Sequence, residues 1–288
     1  MAIGPSTTTS LNDLLPEIIQ EAMFVASERS IMRGLVKNYT LAPGQGKNVN
    51  VPIYPIQTAA VVSEGSEVDS TQVDTNNAQL TVQTVAIRTL LTDLARTSAA
   101  SNVVADLGRL FGEAVARKMD TDLTALFAGF AAGYGNYTQV ITAADIFKAV
   151  ATLKANAVPT EGMVCVLHPE IAYDLKAALT TAGNTPFTMA GYSEVGNEAM
   201  RMGYVGMLAG IPIYETSNIA AVTNAGDFPG AVFQRDAFGL GMIGDISIET
   251  QRRAAFLGDD IVCSAYYGVG ELQDGYGRHL KFDSSINP

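Results

Sequence analysis

The stretch from Ser101 to Ala128 constrains the fold most, because its apolar residues recur every three or four positions along its length. Its apolar stripe consists of Leu107, Phe111, Val115, Met119, Leu123 and Leu126. Its polar face carries Asp106, Arg109, Glu113, Arg117 and Asp120. At about 1.5 Å per residue, a helix of this length runs roughly 40 Å. The pattern predicts one long structural helix with a buried face and a solvent face.

Two extended features precede this helix. Helical apolar spacing predicts a first helix from Asp13 to about Val36, with an apolar stripe that includes Leu15, Ile18, Ile19 and Met23. Alternating apolar residues from Lys47 to Asp93 predict a long two-stranded hairpin, whose second arm carries Leu80, Val82, Val85 and Ile87. The acids of its polar tip, with no basic residue among them, are Glu64, Glu67, Asp69 and Asp74.

After residue 140 the pattern changes to short strands that alternate with helices. Thr142 and Asp145 form a capping-box signature at the start of a helix. A further helix is predicted from Glu170 to Leu179. The predicted strands are Met163–Leu167, Ile211–Tyr214, Ala231–Phe233, Ile261–Val269 and Arg278–Phe282. The Asp274-Gly275 pair predicts a hairpin between the last two strands.

Composition indicates a protein that associates with itself. Hydrophobic residues make up 48% of the chain and charged residues only 16%, and the mean hydropathy is +0.17. The longest uncharged run, Leu123 to Ala144, is interrupted by glycine and polar residues, so we expect no membrane span. The net charge of −11 argues against a protein that grips nucleic acid. The apolar surface therefore predicts extensive protein–protein contacts.

No motif predicts an active site. The glycines at 239, 241 and 244 match a dinucleotide fingerprint, but they lead into a segment that alternates like a strand, which favours a flexible glycine-rich loop. Cys165 and His168 lack a second ligand pair for zinc, and His168 is interpreted as a capping or packing residue. We therefore expect no catalytic residue, no cofactor and no metal site.

Taken in order, these segments resemble the major capsid protein of tailed double-stranded-DNA bacteriophages, with the Hong-Kong-97-type capsid fold. The stretches that carry the resemblance are Val166–Glu170, Leu208–Ile213, Ala231–Asp236 and Asp260–Gly268, and their order is more specific than any one of them. The resemblance implies an α+β fold with an N-arm, an extended β-hairpin loop, a long spine helix, and peripheral and axial domains.

The same resemblance implies five regions. These are an N-arm (1–46), an extended loop (47–93), a peripheral domain with the spine helix (94–140), an axial domain (141–258) and a C-terminal β-hairpin that returns to the peripheral domain (259–288). We expect a structural protein, not an enzyme. It would self-assemble into pentamers and hexamers that form an icosahedral head shell around double-stranded DNA, which it encloses without sequence-specific binding.

The expected partners are further copies of the chain, a separate scaffolding protein, a portal and a decoration or cement protein. The expected location is the virion capsid, assembled in the host bacterial cytoplasm. An encapsulin-type nanocompartment shell protein is the nearest alternative. A soluble nucleotide-binding enzyme built on the glycine-rich segment is a second one. Electron microscopy would separate shells from small oligomers.

Two sets of residues are candidates for contacts between subunits. The first is the apolar stripe of the arm, Leu15, Ile18, Ile19 and Met23. The second pairs the acidic tip, Glu64, Glu67, Asp69 and Asp74, with basic residues of a neighbour, namely Arg117, Lys118, Arg252 and Arg253. A solvated acidic loop is the alternative interpretation of the tip.

Overall fold

The computed structural model describes residues 30–42, 44, 46–54, 59, 61, 62, 65, 67, 73, 75–98, 103–181, 204–222 and 224–286. Its helices are α1 (Met32–Leu35), α2 (Asp93–Ser98), α3 (Val103–Ala125), α4 (Ala143–Ala155) and α5 (Pro169–Thr181). Its strands are β1 (Lys37–Leu41), β2 (Asn48–Ile53), β3 (Asn76–Thr81), β4 (Gln83–Thr92), β5 (Gly133–Gly135), β6 (Met163–Leu167), β7 (Tyr204–Leu208), β8 (Ile211–Glu215), β9 (Asp227–Gln234), β10 (Phe238–Ile243), β11 (Ser247–Arg253), β12 (Gly258–Glu271) and β13 (Gly277–Asp283).

Strand β12 organises a five-stranded sheet. β10 and β11 run antiparallel along it in succession, β4 pairs with residues Gly258 to Tyr267 of β12, and β1 extends the sheet beyond β10. One face of this sheet packs on α3, whose buried stripe includes Phe111, Val115 and Met119. The long helix predicted from Ser101 to Ala128 is confirmed as α3 and a short 3-10 turn after it.

The second sheet has six strands in the order β5-β13-β9-β6-β8-β7. Every residue of β6 and β9 is buried, which fits their central positions in the sheet. Phe233 of β9 and Phe238 of β10 lie edge to face at 5.0 Å, and Phe127 and Phe130 pack against them. These rings join the two sheets in one continuous hydrophobic core.

The predicted hairpin from Lys47 to Asp93 is divided in the structure. Only β2 and β3 pair as a two-stranded ribbon. The chain turns at Val82, and Val85 and Ile87 then lie in β4, where they pair with β12 of the five-stranded sheet. Alternation alone does not distinguish these two partners, because both arrangements bury one side of the strand.

The predicted C-terminal hairpin is wrong. β12 belongs to the five-stranded sheet and β13 to the six-stranded sheet, so the turn at Asp274 connects two sheets. The glycine-rich segment is also not a loop, because Gly239 and Gly241 lie inside β10. The other predicted strands, the helix after Pro169 and the capping box of α4 are confirmed, within a few residues at their ends.

Most of the helix predicted from Asp13 to Val36 lies outside the described residues, as do Leu15, Ile18, Ile19 and Met23. Its described end departs from the prediction. The N–H groups of Ile31 and Met32 donate to the carboxylate of Asp120 at 3.2 and 3.3 Å. Because those groups bond outside the helix, α1 begins at Met32 as a separate four-residue helix.

The contribution of the capping box of α4 to the stability of the protein can be measured directly. The hydroxyl and the N–H of Thr142 both donate to the carboxylate of Asp145. Thr142→Ala removes this cap and should lower the free energy of unfolding by about 1 kcal/mol. Chemical denaturation measures the change, with Thr138→Ala at an exposed site as the control. Equal effects of the two substitutions would contradict a stabilising cap.

Candidate functional site

Four glycines form a side-chain-free surface on the outer face of the five-stranded sheet, the face opposite α3. Gly239 lies opposite Gly270, and Gly241 lies opposite Gly268, in the antiparallel pair of β10 and β12. Residues directly opposite each other share a face, so all four leave it bare. We call these residues the glycine platform. The base of the β2–β3 hairpin lies directly on it.

Close contact explains why these positions are glycine. A Cβ atom on Gly268 would lie 2.2 Å from the carbonyl oxygen of Thr81, and one on Gly270 would lie 2.6 Å from Leu80. A Cβ atom on Gly239 would lie 2.8 Å from Leu80. Leu80 is fully buried as a result. The glycines that resemble a dinucleotide fingerprint therefore seat a hairpin.

Charged residues lie at the opposite end of the same sheet. On the face toward the core, Arg252 donates to both carboxylate oxygens of Asp93, at 2.8 and 2.6 Å. Arg252 and Arg96 also approach Asp259, at 3.5 and 3.6 Å. Arg252 holds the pKa of Asp93 below its usual range. These contacts join the start of α2 to β11 and β12, so the charge of Arg252 is already paired within the chain.

Arg253 points to the other face, because side chains alternate along β11. Its guanidinium and that of Arg88 both bind Asp260, at 2.5 and 2.8 Å. The side chain of Asp260 is 4% exposed, whereas those of Arg88 and Arg253 are 52% and 42% exposed. Two arginines thus share one buried carboxylate, and part of each arginine side chain remains exposed at the surface.

These residues line a shallow depression of about 330 Å³, which we call the outer groove. Its lining residues are Arg88, Glu249, Thr250, Gln251, Arg253, Asp260 and Val262. Arg253 is among the contact residues predicted from the sequence, whereas Arg88 is not. The missing information was the pairing of β4 with β12, which sets Arg88 opposite Val262 and beside Asp260. Arginine donors on both sides of the groove suit it to carboxylates.

The other charged residues that the sequence predicts as contacts do not line the outer groove. Lys118 pairs with Asp122 on its own helix at 2.6 Å, and Arg117 is exposed on α3. Glu67 is exposed, whereas Glu64, Asp69 and Asp74 lie outside the described residues. The structure therefore brings Arg253 together with Arg88, and it does not bring Arg117 or Lys118 into the same surface.

A buried carboxylate anchors the described start of the chain. Asp120 is 0% exposed, and it accepts hydrogen bonds from the Ser30 hydroxyl at 2.7 Å and from the Asn218 side chain at 3.4 Å, besides those from Ile31 and Met32. Burial raises its pKa, and the hydrogen bonds oppose that effect. Asp120 was predicted on the solvent face of α3. No local pattern reveals partners about ninety positions away in the sequence.

An apolar tip extends from the charged end of the sheet. Leu94, Leu257 and Phe256 are 78%, 68% and 57% exposed. The N–H of Asp93 donates to the carbonyl of Leu257 at 2.8 Å, which brings the start of α2 against the turn between β11 and β12. Adjacent exposed apolar side chains of this kind are typical of protein–protein contacts.

The two cysteine thiols and the imidazole of His168 are packed against other parts of the folded chain. Cys165 and Cys263 are buried, and burial raises the pKa of both thiols, that of Cys263 to about 11. His168 stacks on Phe228 at 3.5 Å and accepts a hydrogen bond from the N–H of Glu170, which agrees with its predicted capping or packing role.

Among the described residues, no three His, Cys, Asp or Glu side chains form a group that could hold a metal. In that same part of the chain, no helix is long and apolar enough to span a bilayer.

Comparison with protein families gives a match over most of the chain. A family model described as the phage capsid family matches residues 11–270. No curated protein matches the sequence.

Three solved structures show the same fold. The capsid structure of the cyanophage P-SCSP1u is 19% identical, with a TM-score of 0.65 over 90% of this chain and 89% of that one. The capsid of Ralstonia phage GP4 is 11% identical, with a TM-score of 0.68 over 88% of each chain. The capsid of an empty GTA particle is 11% identical, with a TM-score of 0.66 over 89% and 90%. At these identities the likeness establishes the fold, here the Hong-Kong-97-type capsid fold.

The glycine platform predicts a sharp difference between glycine positions. Gly268→Ala places a methyl group against the backbone of Thr81 and should cost about 1–3 kcal/mol of stability or displace the hairpin. Gly275→Ala is the matched control, because a Cβ atom there meets nothing within 4 Å. Chemical denaturation of both variants measures the difference. Equal stability of the two would contradict direct seating of the hairpin.

The burial of Asp120 predicts a pH dependence. A carboxyl group whose pKa is raised by folding stays protonated to a higher pH in the folded state than in the unfolded state. Its contribution to stability therefore falls as pH rises from the unfolded pKa to the folded pKa. Asp120→Asn cannot titrate. The stability of the wild type relative to this variant should therefore fall as pH rises from about 4 and level off above the folded pKa. Urea denaturation of both proteins from about pH 4 upward measures this difference in stability. A difference that grows in favour of the wild type as pH rises would contradict the prediction.

Proposed function

The chain belongs to the phage capsid family and is a major capsid protein of the icosahedral head shell; we propose that it builds this shell from pentamers and hexamers closed around double-stranded DNA. The family match over residues 11–270 is the observation that carries this proposal. The protein is structural, it self-assembles, and it is part of the virion capsid. We further propose that it has no enzymatic activity and that assembly occurs in the cytoplasm of a host bacterium.

The composition supports a shell that encloses DNA without gripping it. With 29 acidic and 18 basic residues, the chain has a net charge of −11, which opposes extensive contacts with DNA phosphates. Several described arginines are moreover bound to aspartates of the same chain. An acidic shell confines DNA by repulsion, which keeps the packed genome off the wall. A scaffolding protein, a portal and a decoration protein are the further partners proposed.

The long loop between β2 and β3 is the proposed contact with a neighbouring copy. Tyr54, Val61 and Val73 are 67%, 102% and 49% exposed in the single chain, so the loop carries apolar surface that its own subunit leaves uncovered. The loop also carries Glu64, Glu67, Asp69 and Asp74 and no basic residue. A partner surface must therefore offer positive charge.

The outer groove of a second copy meets that requirement. Arg88 and Arg253 keep donors at the surface because they share Asp260. Arg252, which the sequence predicts as a basic partner, already binds Asp93 on the opposite face of the sheet. We therefore propose Arg88 in its place. The apolar tip formed by Leu94, Phe256 and Leu257 and the N-arm stripe of Leu15, Ile18, Ile19 and Met23 are the further contact candidates.

Purification and negative-stain electron microscopy test the function directly. The purified full chain, produced with its scaffolding protein, should form closed shells with five-fold and six-fold rings of subunits. Production without the scaffolding protein should give shells of irregular size or free rings. A chain that remains a small oligomer under both conditions would contradict the proposed function.

Charge variants test the contact between the loop and the outer groove. Replacing Glu64, Glu67 and Asp69 together by Lys should weaken the particles, most strongly at low salt, where screening is least. One exposed ion pair contributes only about 0–1 kcal/mol, but the contact repeats at every subunit of a closed shell. Particle melting at two salt concentrations measures the effect.

Glu249 supplies the complementary variant. It lines the outer groove and opposes an incoming carboxylate, so Glu249→Gln should strengthen wild-type particles and give no gain in the triple lysine variant. Glu161→Gln, at an exposed position remote in sequence, is the matched control. Unchanged particle stability in the triple variant at low salt would contradict this contact and would indicate that the loop is a solvated acidic segment.

A further inference from the structure

Two aspartates face each other at one end of the six-stranded sheet. Asp227 begins β9, Asp283 ends β13, and the two are direct partners in the antiparallel pair. Asp227 is only 1% exposed. One carboxylate oxygen of each residue, Oδ1, is buried and has no hydrogen-bond partner in the described part of the chain. No other buried side-chain oxygen or nitrogen in that part is left in this state.

The backbone hydrogen bonds of Asp227 and Asp283 identify the type of strand pair that they form. The N–H of Asp227 donates to the carbonyl of Asn224 at 3.2 Å, and the N–H of Asp283 donates to the carbonyl of Gln139 at 2.9 Å. Neither N–H bonds across the strand pair, so this is a non-hydrogen-bonded pair. In such pairs the side chains share a face and approach most closely, with Cβ atoms about 4.5–5.5 Å apart.

Two carboxylates in this position repel each other unless something lies between them. Neither residue forms an ion pair with any described residue, and Lys281, two positions before Asp283, forms none either. Asp227 uses its second oxygen, Oδ2, to accept the N–H of Asn224 at 2.9 Å. Burial, together with the negative charge of Asp227, raises the pKa of the nearby Tyr137. The pair is therefore a concentrated and unbalanced negative site.

A buried polar group without a partner is rare in folded proteins and commonly marks a bound water or ion. Hard divalent cations bind carboxylate and backbone carbonyl oxygens, and calcium completes its shell of six to eight ligands with water. The carbonyls of Gln139, Asn224 and Gly226 accept the N–H groups of Asp283, Asp227 and Ser284, so they lie beside the pair, and a carbonyl oxygen has a second lone pair. Asp283 is only partly buried, which leaves a route for a cation from solvent.

We propose that Asp227 and Asp283 bind a divalent cation of the calcium class between β9 and β13. With two carboxylates and no third acidic ligand among the described residues, the site belongs with the weaker calcium sites, which bind at about 10⁻⁴–10⁻³ M. The cation ties the start of β9 and the end of β13 to Gln139 and to residues 224–226. It thereby stabilises the six-stranded sheet at the end where the chain terminates.

Thermal unfolding of purified particles with calcium or with a chelator tests the site. Saturating calcium should raise the melting temperature of the wild type by about 2 °C or more. Asp227→Asn and Asp283→Asn should abolish this rise. In chelator each variant should melt at or above the wild type, because the substitution relieves the repulsion. Asp145→Asn, which alters a carboxylate that already has partners, is the matched control and should keep the calcium response.

A second measurement keeps the proposal testable if a variant fails to fold. Terbium replaces calcium at oxygen sites and emits when a nearby tyrosine is excited, and the chain contains no tryptophan. Terbium emission from the wild type should be displaced by calcium and should fall several-fold in Tyr137→Phe. A melting temperature of the wild type that does not depend on calcium would overturn the proposal. Terbium emission that persists in Asp227→Asn would also overturn it.

Discussion

The contact between the β2–β3 hairpin and the glycine platform fixes the position of the hairpin base on the five-stranded sheet. A side chain at Gly268 or Gly270 would occupy the space taken by Thr81 and Leu80, so only a bare strand surface allows the hairpin to cross here. The crossing follows directly from the turn at Val82, where the chain leaves the β2–β3 hairpin and enters the five-stranded sheet as β4. The position of the hairpin base is thus set by contacts within the chain.

Charge pairing within the chain decides which surfaces remain for neighbours. Arg252 and Arg96 are bound to Asp93 and Asp259 on the core side of the five-stranded sheet. Arg88 and Arg253 share a single buried carboxylate on the outer side and keep half of their surface in solvent. In a chain with a net charge of −11, such an exposed pair of arginines is a distinctive place for acidic groups to bind.

Local patterns predicted the elements well and their pairing poorly. The 3.6-residue period gave α3, and the Thr142–Asp145 spacing gave the capping box of α4, because both depend on neighbours within four residues. The division of the hairpin at Val82 and the placement of β12 and β13 in different sheets depend on contacts between distant segments. The same limit applies to the candidate site. Arg253 was named from its charge, whereas Arg88 and Asp120 matter through partners that only the folded chain brings near.

Cryo-electron microscopy of assembled particles at side-chain resolution tests the central claim most directly. The account predicts that the hairpin base lies on the glycine platform of its own chain. It also predicts that the loop between residues 54 and 75 lies in the outer groove of a second copy, with its carboxylates within hydrogen-bonding distance of Arg88 and Arg253. A loop folded back on its own subunit, or an outer groove that faces solvent in the assembled shell, would contradict it.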